Sequence, residues 1–157
     1  MQAKPRHKLA PIGCETGGMC APLFTGSALA SVPVTERRRR IGQLGEEIAC
    51  RHLRSLGYVI VERNARTRQG ELDIVARDGA VIVFVEVKTG RAGAGAGPER
   101  PALAVGRAKQ RRLRLLAGEW LSNNRPGSGG VRIDVIGITL SADADRAPEL
   151  EHIEAAV

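Results

Sequence analysis

Residues 70–88 read Gly70-Glu71-Leu72-Asp73-Ile74-Val75-Ala76-Arg77-Asp78-Gly79-Ala80-Val81-Ile82-Val83-Phe84-Val85-Glu86-Val87-Lys88. Two apolar runs flank Asp78-Gly79, a pair that tolerates the positive φ angles of a tight hairpin turn. The spacing predicts strands over Glu71–Arg77 and Ala80–Lys88. The second is apolar on both faces until its end, so it should be central and covered from both sides. With Asp78-Gly79 as the two turn residues, Arg77 faces Ala80 and Asp73 faces Phe84. Asp73 then lies diagonally from Glu86 on one face, and Glu71 directly opposite Glu86. A one-residue slip would undo that convergence.

Outward from the hairpin, the chain alternates helical and extended patterns. Ala49, Leu53 and Leu56 form one stripe of a helix over Ile41–Leu56, with Gly57 as its stop. Tyr58–Arg63 alternates as a short strand, and Asn64–Gln69 is a polar connection. Beyond Lys88, Thr89–Gly97 holds four glycines and reads as a flexible loop. A helix from about Val105 to Leu121 presents Leu113, Leu116, Ala117 and Trp120 on one face, and Val131–Leu140 is another apolar strand. The order helix, three strands, helix, strand defines an α/β fold with a mixed β-sheet flanked by helices. It divides the chain into an N-terminal arm expected to be disordered (1–35), the domain itself (36–140) and an acidic tail without an assigned element (141–157).

The 157 residues suffice for one core, and aromatics at 3% leave Val, Ile, Leu and Ala to fill it. That scarcity argues against capturing single strands by stacking bases on rings. The net charge of +7 is uneven: residues 1–40 carry seven Lys/Arg against two Asp/Glu, and 41–157 carry seventeen against fifteen. The excess therefore sits mainly in the arm, around Arg37-Arg38-Arg39-Arg40. A local basic patch lies between Arg100 and Arg114, with six basic residues and no acid. Cys14, Cys20 and Cys50 have no CxxC spacing, and His7, His52 and His152 are isolated, so neither a zinc site nor a disulfide framework is expected. Glu15 and the nearby glycines interrupt any export signal, and no stretch is long enough to span a membrane. A cytoplasmic protein with reduced thiols and no membrane association is the expectation.

The polar residues that interrupt the apolar strands carry the functional signal. Glu86 and Lys88, two apart, share a face. Taken alone, Glu-x-Lys reads more simply as a solvent-facing charge ladder ending a strand. Asp73 on the matching face brings a metal site level with that reading. Carboxylates converging at the edge of an apolar sheet repel each other and are costly to bury. A hard cation such as Mg²⁺ resolves both problems while keeping sites for water and phosphate oxygens. Lys88 could then activate the attacking water or stabilise charge on a phosphate.

Six blocks in order carry a family resemblance: Gly42-Gln43-Leu44-Gly45-Glu46-Glu47-Ile48-Ala49, Gly57-Tyr58, Gly70–Val75, Phe84–Lys88, Lys109-Gln110 and Arg132-Ile133-Asp134-Val135-Ile136-Gly137. Over about Arg40 to Leu140 the chain resembles the YraN-like family of bacterial endonuclease-like proteins. That family is similar to archaeal Holliday-junction resolvases and to the PD-(D/E)xK restriction-endonuclease-like superfamily. The resemblance implies a metal-dependent endonuclease (a hydrolase) that binds DNA and cuts its phosphodiester bonds, with branched or non-B-form DNA as the substrate form. It implies Asp73 and Glu86 as ligands of Mg²⁺ or Mn²⁺, Lys88 as the catalytic lysine and Glu46 as an assisting helical carboxylate. By analogy with two-strand cutting, a homodimer is the implied assembly. The alternative reading is a non-catalytic nucleic-acid-binding or assembly protein that keeps the nuclease fold. Leu72 stands where the superfamily has proline, and Gly90-Arg91 where an arginine two places after the lysine is usual.

Individual residues keep two readings each. Glu46 sits about 60° from the middle of its helix stripe and can reach the sheet edge, whereas Glu47 points nearly opposite, to solvent. Lys109 either snorkels or reaches a phosphate beside the site. Arg111, Arg112 and Arg114 form either a nucleic-acid-binding patch or a solvated helix face. Asp134 is better explained by an internal partner such as Arg132 or an Asn than by catalysis. No nucleotide cofactor is expected, because Gly93-Ala94-Gly95-Ala96-Gly97 lacks the spacing and Lys-Ser/Thr ending of a phosphate-binding loop.

Overall fold

The computed structural model describes residues 33–92, 106–143 and 145–157. Most of the expected N-terminal arm, the Ala/Gly-rich stretch from Gly93 and the start of the second helix at Val105 lie outside them. Seven elements follow in order: α1 (Val34–Ser55), β1 (Val59–Thr67), β2 (Gly70–Asp78), β3 (Val81–Arg91), α2 (Arg107–Asn124), β4 (Val131–Leu140) and β5 (Glu149–Ile153). The five strands form one mixed sheet in the order β1-β2-β3-β4-β5, parallel only between β3 and β4.

The apolar run of β3 is central, as its two-sided pattern requires. Val83 and Val85 join Ile48, Ala49, Leu53, Ile136 and Ile138 in a core under α1. Ile82 and Phe84 join Leu113, Leu116, Ala117 and Trp120 in a second core under α2. Phe84 meets Trp120 edge to face at 5.5 Å between centroids, and the indole Nε1 donates to Glu62 at 2.7 Å. The four residues of the α2 stripe are its buried residues.

Helix α1 begins seven residues before the expected Ile41 and includes the arginine run. Arginine is a good helix former, and Glu36 in the first turn accepts from Arg39 and Arg40, one turn on. The helix stops where Gly57 predicts: at φ 89° Gly57 donates to the Arg54 carbonyl and Tyr58 to that of Leu53, a Schellman closure. Leu56 is not part of the buried stripe; it caps the helix and is exposed.

Four further expectations are corrected. Strand β1 runs on to Thr67, so most of Asn64–Gln69 is strand and not a polar connection. The hairpin pairs Asp78 with Val81, so Gly79 and Ala80 are the turn residues, with the positive φ (57°) at Gly79. The register is therefore two residues from the expected one, which preserves every side chain's face because the strand period is two. Thr89, Gly90 and Arg91 belong to β3 rather than to a loop, paired with Ile138, Thr139 and Leu140. The tail contributes β5, whose Leu150 completes the α1-side core.

Gly45 fixes how close α1 lies to the sheet, since a Cβ there would collide with the Thr89 side chain. Gly118, on the outer face of α2, has open space around it. Gly45→Ala should therefore lower unfolding stability by about 1–3 kcal/mol through overpacking. Gly118→Ala should raise it by up to about 1 kcal/mol through helix propensity. Urea titration of the two variants beside the parent chain checks both signs.

Candidate metal and catalytic site

The ladder between β2 and β3 runs from Asp78↔Val81 to Ile74↔Val85, while β3 continues alongside β4 to Arg91. Asp73 and Glu86 are the next residues in that row, where the two strands part. There the Asp73 carboxylate stands in for backbone pairing: the Val87 N–H donates to its Oδ2 at 2.7 Å. Glu71, expected opposite Glu86, instead pairs with Arg66 across β1 and is exposed, so it takes no part in the site.

Glu86 is buried, with 3% of its side chain exposed. Its Oε1 takes the Lys88 ammonium at 2.7 Å and the Lys109 ammonium at 3.0 Å. Both lysines are partly exposed, so the cluster opens towards solvent on the α2 side. The second oxygen, Oε2, is buried without a hydrogen-bond partner among the described residues. A buried carboxylate oxygen without a partner is costly and calls for an explanation.

Asp73 is strained electrostatically. Burial raises its carboxyl to about 6, and the charge of Glu86 pushes the same way. The Val87 hydrogen bond opposes this, Glu46 adds to it, and Lys109 opposes it more weakly. Glu46 thus acts on Asp73 through its field, while its Oε2 accepts from Asn64 Nδ2 at 3.1 Å. Glu47 does not simply face solvent; it is paired with Arg63 at 2.9 Å.

The structure therefore brings Asp73, Glu86, Lys88 and Lys109 together, with Glu46 bordering them. Lys109, half-exposed, is the second cation on Glu86. Arg112 is exposed and donates to the Gln69 carbonyl, bracing the β1–β2 turn; Arg111 and Arg114 are exposed on the outer side of α2. Arg114, Arg68, Gln69, Leu115 and Glu119 line an open groove of about 570 Å³ beside that turn.

Two carboxylates fit a hard divalent cation that keeps most of its shell as water and substrate oxygen. Among the described residues no three His, Cys, Asp or Glu side chains gather into a larger ligand set. The orphaned Oε2 and the raised Asp73 are each relieved by the same positive charge.

A second buried polar cluster lies on the α1 side. Asp134, fully buried, accepts from Arg132, from His152 at 3.1 Å and from the Ala155 N–H. Arg132 also reaches Tyr58, and His152 contacts His52 at 3.4 Å. Arg132 is thus the internal partner expected for Asp134. The contributions of Tyr58, His52 and His152 carry no local sequence signal.

A five-stranded mixed sheet with a helix on each face, and acid–lysine chemistry where two strands part, defines an α/β protein of nuclease-like architecture. The chain belongs to the uncharacterised protein family UPF0102, whose model matches residues 45–138. It is 47% identical over 116 residues to a UPF0102 protein of Streptomyces griseus subsp. griseus, covering 73% of this chain and 93% of that one. It is 45% identical over 120 residues to one of Mycolicibacterium vanbaalenii, covering 76% and 95%. Among the described residues no helix is long and apolar enough to cross a membrane.

The raised Asp73 carboxyl has a defined thermodynamic sign. The folded state holds this proton more tightly than the unfolded chain, so Asp73 costs no stability below about pH 4 and its cost grows until pH passes about 6. With chelator present, Asp73→Asn should be about 2–3 kcal/mol more stable than the parent chain at pH 7. The difference should vanish near pH 4, as read from urea midpoints across that range.

Proposed function

We propose that this protein is a divalent-metal-dependent endonuclease hydrolysing DNA phosphodiester bonds, with branched or otherwise non-B-form DNA as the substrate form. The observation that carries the reading is the buried Oε2 of Glu86, without a hydrogen-bond partner among the described residues, in the row of Asp73. Asp73 and Glu86 would hold Mg²⁺ or Mn²⁺. When bound, the ion supplies Lewis acidity towards a phosphate oxygen and an acidified water.

The chain's own groups do the rest. Glu86 holds Lys88 through Oε1, so the lysine ammonium is fixed beside the carboxylates instead of sweeping through solvent. From there Lys88 orients the attacking water or meets charge developing on the phosphorane oxygens. Lys109 brings a second ammonium to the same carboxylate from α2. Glu46 adds negative potential at the rim, and the exposed Arg111, Arg112 and Arg114 of α2 would contact a phosphate backbone.

The non-catalytic binding reading keeps one supporting observation. Both lysines already occupy Glu86 Oε1, so the carboxylate is largely charge-compensated without a metal.

Glu86→Ala and Lys88→Ala should both fold and still bind DNA at low salt, since backbone attraction comes mainly from basic groups elsewhere. Each should lose most Mg²⁺- or Mn²⁺-dependent cleavage of linear, flap and four-way DNA, and Glu86→Ala alone should also weaken metal binding by calorimetry. Equal cleavage by parent and variants would assign the cutting to another site or a contaminant. Binding without cutting by the parent would favour the non-catalytic reading.

A further inference from the structure

The backbone of β1 departs from strand geometry at one residue beside the site. Asn64 has φ 51°, in the left-handed region, although it lies inside β1. Its neighbours pair as Arg63↔Ile74 and Ala65↔Leu72, so Asn64 stands opposite Asp73. The kink changes which helix the side chains reach. Successive strand residues normally point to opposite faces. Arg63 reaches Glu47 of α1, so a regular Asn64 would point towards α2. Instead Asn64 also reaches α1, and consecutive β1 residues hold consecutive α1 carboxylates.

The alternation of β2 breaks in the same row. Leu72 packs in the α2-side core and Ile74 in the α1-side core, although two residues apart they should share a face. Asp73 is the residue between them. The kink at Asn64 and the break at Asp73 are thus one feature, two residues across from each other on neighbouring strands.

The two contacts differ in charge. Arg63 pairs with Glu47 as a cation, whereas the neutral Asn64 amide holds Glu46 through Oε2 without bringing a countercharge. Asn64 does not engage the other oxygen, Oε1. Non-glycine residues occupy the left-handed region at a cost, and Asn tolerates it better than most. Such strain, found at the point where an amide meets a site carboxylate, points to a function rather than to chance.

We infer that Asn64 is a positioning residue of the candidate site. Its left-handed backbone turns the amide onto Glu46, fixing that carboxylate at the rim beside Asp73 to hold the outer hydration shell of the divalent ion. The inference rests on the endonuclease reading above.

Asn64→Gly tests it, because glycine adopts φ 51° without strain and removes only the amide. Its thermal midpoint should equal or exceed that of the parent chain. Its Mn²⁺ affinity by calorimetry and its kcat on four-way DNA should each fall about tenfold, with KM for DNA unchanged, as for loss of a group that orients a metal site. Glu46→Gln should reproduce both losses, and the double variant should be no worse than either single one. Parent-like Mn²⁺ binding and kcat in Asn64→Gly, or losses that add in the double variant, would overturn the role of Asn64 while leaving the endonuclease reading intact. A parent chain that neither binds Mn²⁺ nor cuts DNA would overturn both.

Discussion

A carboxylate buried at the end of an apolar strand sets the terms for everything around it. Glu86 closes a run of five Val, Ile and Phe residues and is almost wholly removed from water. An isolated charge there would be far too costly to keep. One oxygen is stabilised by two ammonium groups from different elements, Lys88 on β3 itself and Lys109 on α2. The other has no hydrogen-bond partner among the described residues. Docking of α2 on Phe84 through Leu113 and Trp120 is therefore also what delivers the second cation, so the packing of the helix and the pairing of Glu86 are tied together.

The opposite layer contributes through close approach. Gly45 lets α1 settle against Thr89 at the end of β3. The next residue, Glu46, is then near enough for its field to act on Asp73. Where β2 leaves β3, the Asp73 carboxylate takes over a backbone N–H that the ladder would otherwise satisfy. The same side chain thus closes a gap in the sheet and supplies the second acid, which ties integrity of the fold to presentation of the site.

Much of this was legible from residues alone. The two-sided apolar run marked β3 as central, the 3.6-residue stripe named all four buried residues of α2, and Gly57 marked the end of α1, because each is a local signal with one dominant cause. The hairpin register was misplaced by two residues since Asp78-Gly79 and Gly79-Ala80 both satisfy a turn needing one positive φ. The even size of that error kept Asp73 and Glu86 together and removed Glu71. Strand β5 was not legible because its order comes from pairing with β4 and from the His152–Asp134 contact, both tertiary. The kink at Asn64 was hidden for the same reason, since only the positions of α1 and β2 give it meaning.

The proposal that Asp73 and Glu86 share one divalent cation can be tested by anomalous scattering from a crystal grown with Mn²⁺. The expected result is a single strong peak bound by an Asp73 oxygen and Glu86 Oε2, at metal–oxygen distances of about 2.0–2.2 Å, the range of first-row divalent ions on carboxylates. A map without a peak at saturating Mn²⁺, with Glu86 still clasped by Lys88 and Lys109, would contradict the account.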